Sequence, residues 1–182
     1  MIAINHSKRL WILASIFLCT GFSLVYAKKQ PLITNQSVSI RAMSTGESLY
    51  ASGSIAEVNW NLVEVMLPGY LNKKFPFGAV QFRHISKHDQ CLMSDGFWLG
   101  LGECSTVRLG DHRTLFSLLP TSSGALQIQS IAAEGCLVVE SSGKKIAQSL
   151  RILPCFTAAH TPIDLRWLWV LTPPRIDTKL SM

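Results

Sequence analysis

An all-β fold of the β-trefoil class is predicted by three features of the chain. The first is a unit that occurs three times: an alternating strand, a polar turn, a Cys-Leu or Ser-Leu pair, and an aromatic-bearing strand before proline. Its copies start at Val38, at Val80, 42 residues on, and at Leu126, 46 residues further. The second is the succession of short strands with turn signals every 8–12 residues, which reads as a sandwich or barrel. The third is the lack of any convincing amphipathic helix beyond the N-terminal apolar run. A propeller also repeats four-stranded units of this length, but it needs at least four blades and only three units fit here.

Residues 1–27 read as a secretory signal peptide. Lys8-Arg9 is the charged start, Leu10–Leu24 is an apolar run too short for a comfortable membrane span, and Val25-Tyr26-Ala27 places cleavage after Ala27. An uncleaved anchor is the rival reading. Leu18 before Cys19 speaks against a lipoprotein signal. Residues 28–37 are polar and are expected to form an extended tail or simply to fray.

The β-trefoil domain is expected over residues 38–174. In its first repeat Val38, Ile40 and Ala42 alternate with Ser39, Arg41 and Met43, as a half-buried strand requires. Thr45-Gly46 turns, Trp60–Val65 forms a further strand, and Pro68-Gly69 ends it. The second repeat opens with Val80-Gln81-Phe82-Arg83, turns at His88-Asp89, passes Cys91-Leu92, turns again at Asp95-Gly96 and reaches Cys104. It closes with Leu115–Leu119 before Pro120. The third runs from Leu126 through Cys136-Leu137 to Arg166–Leu171, stopped by Pro173-Pro174. Residues 175–182 are a C-terminal tail.

Hydrophobic residues make up 48% of the chain and charged ones only 15%, so disorder is not expected. The net charge of +6 owes two positive charges to the first 27 residues; the rest carries 15 basic and 11 acidic residues, a net +4. These charges are interspersed rather than clustered, and no basic helix supports direct nucleic-acid binding. Loss of the leader removes Cys19 and leaves Cys91, Cys104, Cys136 and Cys155. An even number in an exported chain suggests disulfides rather than buried thiols. Three pairings are possible, and one local clasp per repeat favours Cys91–Cys104 with Cys136–Cys155.

Three repeats with Cys-Leu early and an aromatic late resemble the ricin B-type lectin repeat. Within that superfamily the pieces SIRAMSTGESLYA, NWNLVEV, FPFGAVQF, TLFSLLPTSSGALQIQS and VLTPP, spread over residues 38–174, resemble the C subunit of the bacterial cytolethal distending toxins. The resemblance implies a non-enzymatic binding and delivery component of a heterotrimer. Together with the lectin-like A subunit it would flank the B subunit, which is a DNase I-like nuclease that enters host cells. It also implies that the tail at residues 28–37 lies along the nuclease.

Ricin-type sugar sites need an acid two residues after the first cysteine, an aromatic platform before the second, and a Gln two residues before a Trp. Here the acid position holds Tyr50, Met93 and Val138, the platform position Gly102 and Leu153, and the Gln position Val58, Thr114 and Trp167 or Leu165. Trp60, Phe116 and Trp169 are accordingly expected in the core. Phe97-Trp98, inside the small disulfide loop, are either a plug under the loop or a contact for a partner subunit or host membrane component. Leu67, Tyr70 and Lys73 fit the loose sterol-contact pattern, which the toxin resemblance also places here.

His84 and His88 have a metal-compatible spacing but no evident third ligand, so neither a metal nor a cofactor is expected. Asp111-His112 suggests an acid–base dyad on a strand, with no nucleophile to place beside it, and no paired-carboxylate or hydrolase motif accompanies it. The expected role is therefore the non-catalytic, secreted C component of a tripartite genotoxin. Its partners would be the toxin's A and B subunits and a host-surface glycan, glycoprotein or cholesterol-rich membrane. A stand-alone secreted lectin and a β-trefoil protease inhibitor are the alternatives.

Overall fold

The computed structural model describes residues 36–49, 58–96, 99–140, 150–156 and 162–176. The signal sequence, most of the expected tail, Tyr50 and the Phe97-Trp98 pair therefore lie outside the described residues. The described strands are β1 (Gln36–Ala42), β2 (Asn59–Val65), β3 (Ala79–His84), β4 (Gln90–Ser94), β5 (Leu99–Glu103), β6 (Phe116–Pro120), β7 (Leu126–Ser130), β8 (Cys136–Val139), β9 (Leu150–Leu153) and β10 (Trp169–Thr172). One α-helix, α1 (Gly69–Lys74), and two 3-10 turns, Cys104–Leu109 and Leu165–Trp167, interrupt them.

Six strands close on themselves. Antiparallel pairing runs β1–β2–β3–β6–β7–β10 and back to β1, so the ring leaves no open edge. The hairpins β4–β5 and β8–β9 branch from β3 and β7. A six-stranded barrel with hairpins branching from successive repeats is the β-trefoil. The first repeat offers Ser48, bridged to Arg41, where the others branch, and its continuation lies outside the described residues.

Register carries the threefold symmetry. Val38 faces Trp60, Val80 faces Phe116, and Leu126 faces Trp169. Three residues further along each first strand, Arg41 faces Ser48, Arg83 faces Cys91, and Gln129 faces Cys136. The alternation of a half-buried strand then sends Ile40, Phe82 and Ile128 inward, where all three are fully buried. Trp60, Phe116 and Trp169 are each 0% exposed, and Leu49, Leu92 and Leu137 pack in the same cluster. Burial of each such side chain stabilises by roughly 1.5–3 kcal/mol.

The two tryptophans carry an indole N–H that needs an acceptor in a dry core. Trp60 Nε1 donates to the Leu49 carbonyl at 3.2 Å and Trp169 Nε1 to the Leu137 carbonyl at 3.0 Å. Each ring thus ties the last strand of its repeat to the residue after the Ser or Cys. The second repeat uses Phe116, which has no donor, and packs against Phe82 at 5.7 Å between centroids.

A buried polar residue clasps the branch in every repeat. Ser39 Oγ donates to Ser48 Oγ at 3.3 Å. Gln81 Nε2 donates to the Cys104 carbonyl and to Thr114 Oγ1. Gln127 donates to the Phe156 carbonyl and accepts from the Phe156 N–H, both at 2.9 Å. The disulfides join Cys91 to Cys104 and Cys136 to Cys155, with Cα atoms 5.1 and 5.0 Å apart. Of the three possible pairings the chain adopts the local one.

Two expectations about elements are corrected. Strand β1 begins at Gln36, paired with Leu62, two residues before the expected domain start. Pro68-Gly69 does not simply end a strand: Pro68 precedes α1, and its carbonyl accepts the Leu71 and Asn72 N–H groups.

Two stability outcomes follow from this packing. Replacing Cys91 and Cys104 together by serine is expected to lower the unfolding free energy by about 3 kcal/mol in the loop-entropy account; an unchanged urea midpoint would show that the β4–β5 clasp is redundant. Trp169→Phe is expected to cost about 1–3 kcal/mol, because it leaves the buried Leu137 carbonyl without its donor, and the same denaturation series reads it.

Candidate functional site

The lectin-type sugar positions are on the hairpins. In the second repeat, Met93 on β4 and Gly102 on β5 share one face of a strand pair whose register sets Cys91 opposite Gly102 and Met93 opposite Gly100. A Cβ built on Gly102 would meet Met93 Sδ at 2.6 Å. Met93 thus lies over the glycine, and the place of the aromatic platform is filled by a thioether. In the third repeat Val138 is 1% exposed, a core residue where an acid would have to face solvent, and Leu153 stands opposite Cys136.

The Gln positions are equally altered. Val58 and Thr114 are buried, and Thr114 Oγ1 is held by Gln81. The pairing of Leu126 with Trp169 settles the third alignment on Trp167. That ring meets Phe156 edge-on at 5.2 Å, donates through Nε1 to the Pro154 carbonyl and carries the Arg166 guanidinium at 5.4 Å. The neighbouring Asp164 accepts from Arg166, which holds its carboxyl below the usual carboxylate range. Among the described residues of this repeat, the carboxylate nearest in sequence to the Trp167 ring is thus engaged by Arg166.

The segment between β2 and β3 is a different kind of surface. Leu67, Leu71 and Phe75, spaced four apart, face a second apolar cluster with Ala79, Leu115 and Ile131. Leu67 is 8% exposed, so the members of the sterol-contact pattern that reach the surface are Tyr70 and Lys73. The outer face is mixed: Asn72, Lys73 and Lys74 are exposed, beside the apolar Met66 at 88%, Tyr70 at 68% and Phe77 at 56%. Lys74 pairs with Glu134 of the β7–β8 loop. Met66 and Phe77 are surface residues that sequence reasoning missed. The spacing of Leu67, Leu71 and Phe75 turns the residues between them outward, Tyr70 included, but Met66 and Phe77 flank that run and carry no such signal.

The remaining candidates are accounted for by local bonding. His84 is buried at the end of β3, and its Nδ1 accepts the Ser86 and Lys87 N–H groups, both at 3.1 Å. His88 is exposed in the next turn, and among the described residues no three His, Cys, Asp or Glu side chains gather as a metal site would require. Asp111 lies in a loop rather than on the expected strand. Its carboxylate is gripped by Arg113 at 2.8 to 3.1 Å, which lowers its pKa, so it is paired with arginine and not with His112.

The likeness to known proteins agrees with this geometry. The family model of the cytolethal distending toxin A/C domain matches residues 37–180. A cytolethal distending toxin C subunit from Escherichia coli is 25% identical over 124 residues, covering 68% of this chain and 66% of that protein's length. Among solved structures, a chain of the Actinobacillus actinomycetemcomitans cytolethal distending toxin superposes with a TM-score of 0.63 at 20% identity, covering 88% of this chain and 99% of the other. A chain of the Haemophilus ducreyi toxin gives 0.63 at 20% identity over 81% and 92%. With a family model spanning nearly the whole trefoil, the chain belongs to the cytolethal distending toxin A/C domain family.

Proposed function

We propose that this chain is the secreted, non-catalytic C-type component of a tripartite toxin, which pairs with an A-type partner to attach to host cells and carry a nuclease. The observation that carries the reading is a lectin scaffold kept with its sugar positions filled from within: Met93 covers Gly102, and Val138 is core. A chain that retains the barrel but not the acid and platform is suited to binding through other surfaces. Family membership supports the toxin role. The proposed leader, cleaved after Ala27, would deliver the chain to a compartment where both disulfides can form.

The α1 segment is the proposed contact with a membrane or partner surface. Met66, Tyr70 and Phe77 offer apolar area, and Lys73 adds a cation at its edge. Phe97-Trp98 remain proposed as a second such contact.

Three experiments test this reading. Co-expressed with A-type and B-type toxin chains, this chain is expected to co-purify in a ternary complex and to be required for cell-cycle arrest. Folded chains that never associate would end the proposal. Methyl galactoside titrated into the full chain is expected to leave the amide signals of Met93 and Gly102 unmoved, whereas saturable shifts there would restore a lectin site. Tyr70→Ala is expected to weaken cell binding at an unchanged melting temperature. Leu67→Ala should instead cost about 2–5 kcal/mol of stability, as core truncations do. Normal cell attachment by the Tyr70 variant would remove this surface from the account of binding.

A further inference from the structure

A recess of about 430 Å³ opens between the end of β3, the turn before β4, the end of β5 and the 3-10 turn Cys104–Leu109. Its wall carries Arg83, His88, Asp89, Glu103, Ser105 and Arg108. It is separate from the filled lectin position, which lies further along the same hairpin at Met93. We infer that this recess is a binding site for a singly charged anionic sugar, one bearing a carboxylate or a sulfate ester.

The walls are held in place before any ligand arrives. The Cys91–Cys104 disulfide joins β4 to the start of the 3-10 turn, and the Cys104 N–H donates to the Asp89 carbonyl at 2.8 Å. Arg83 is aimed by a buried chain: its Nη2 donates to Gln81 Oε1, while Gln81 Nε2 is fixed by Thr114 and the Cys104 carbonyl. Arg83 Nε is buried and has no hydrogen-bond partner among the described residues, as is also true of Arg41 Nε at the same position of the first repeat, so the groups that Arg83 can offer the recess are its terminal nitrogens.

The charges of the recess are left to a ligand. Arg113, Arg151 and Arg166 each have a carboxylate partner within 4.0 Å. Among the described residues Arg83, Arg108, Asp89 and Glu103 take part in no such pair, although both signs line one wall. The third repeat provides an internal comparison. Gln129 stands where Arg83 does, opposite its cysteine, and its Nε2 donates to the Glu134 carbonyl of its own loop. There the protein answers the donor itself.

The mixed lining selects the ligand class. Two guanidiniums suit an anionic oxygen group held by charge-assisted bonds. Two carboxylates would repel the second charge of a phosphate monoester, yet they accept well from neutral hydroxyls. A monoanion rich in hydroxyls satisfies both halves, and the volume falls in the range of small-molecule sites. The inference deepens the proposed host-attachment role and depends on it for its biological use; the binding is measurable on this chain alone.

The test is a titration of the full chain followed by amide shifts, with methyl N-acetylneuraminide as the carboxylate probe, methyl 6-sulfogalactoside as the sulfate probe and methyl galactoside as the neutral control. At least one anionic glycoside is expected to bind about tenfold more tightly than the control, with shifts in residues 83–89 and 103–108. Arg108→Ala, a change at an exposed position, should weaken it about tenfold, and Glu103→Gln several-fold, at unchanged melting temperature. Arg151→Ala, on the other hairpin, should leave it unaltered. Equal binding of the neutral control, binding indifferent to Arg108→Ala, or no binding by the folded chain would each overturn the site. A chain that assembles with its toxin partners but binds neither probe sinks the recess alone. One that binds but never assembles sinks the delivery role alone.

Discussion

Everything in this molecule depends on the register that sets an aliphatic residue opposite an aromatic one once per repeat. Val38 with Trp60, Val80 with Phe116 and Leu126 with Trp169 put three large rings into one closed barrel. A ring of six strands has a single interior, and the alternation of side chains admits only every second residue to it. A one-residue slip in any pair would turn Ile40, Phe82 or Ile128 to solvent and bring their polar neighbours inside. The indole bonds from Trp60 and Trp169 to the Leu49 and Leu137 carbonyls resist that slip, because a displaced ring would lose its acceptor in a dry core.

With the interior so constrained, variation is confined to what branches from the barrel. Each first strand presents one buried polar side chain to its branch, and the three solutions differ. Ser39 uses a hydroxyl pair, Gln81 reaches two acceptors, and Gln127 makes a reciprocal amide clasp with Phe156. The clasp position is polar and buried in all three repeats, while the hairpin residues differ between them, Met93 in one standing where Val138 stands in another. On the β4–β5 hairpin Met93 lies on Gly102, outside the barrel interior. The barrel interior and the side chains on the hairpins are thus set by separate constraints.

The repeat starts were legible in the sequence because they are register positions: Val38, Val80 and Leu126 are the residues that face the three aromatics. The cysteine pairing was legible for the same reason, since each branch begins with the residue opposite position 83 or 129. Helix α1 was not. It has six residues, no capping side chain and a Pro-Gly start that reads as a turn, so its only signal is the spacing of Leu67, Leu71 and Phe75. The choice between Leu165 and Trp167 needed a strand pairing that sequence spacing left open. The recess was out of reach altogether, because its lining comes from separate segments brought together by the Cys91–Cys104 bridge.

The repeats are unequal in one further respect that explains where new binding chemistry can arise. From the residue after the branch position to the Ser or Cys, the first and third repeats span Ala42 to Ser48 and Ser130 to Cys136, six steps each. The second spans His84 to Cys91, one step more. In the third repeat the tighter loop adopts a positive φ at Glu134, whose carbonyl turns back to accept from Gln129. In the second, the buried His84 imidazole accepts the Ser86 and Lys87 N–H groups and so organises the longer turn. His88 and Asp89 are thereby carried outward onto the wall beside Arg83. The added residue distinguishes the second turn from both others, whereas the bond that Gln129 makes to its own loop is peculiar to the third repeat, since Arg41 and Arg83 both keep a buried Nε without a partner among the described residues.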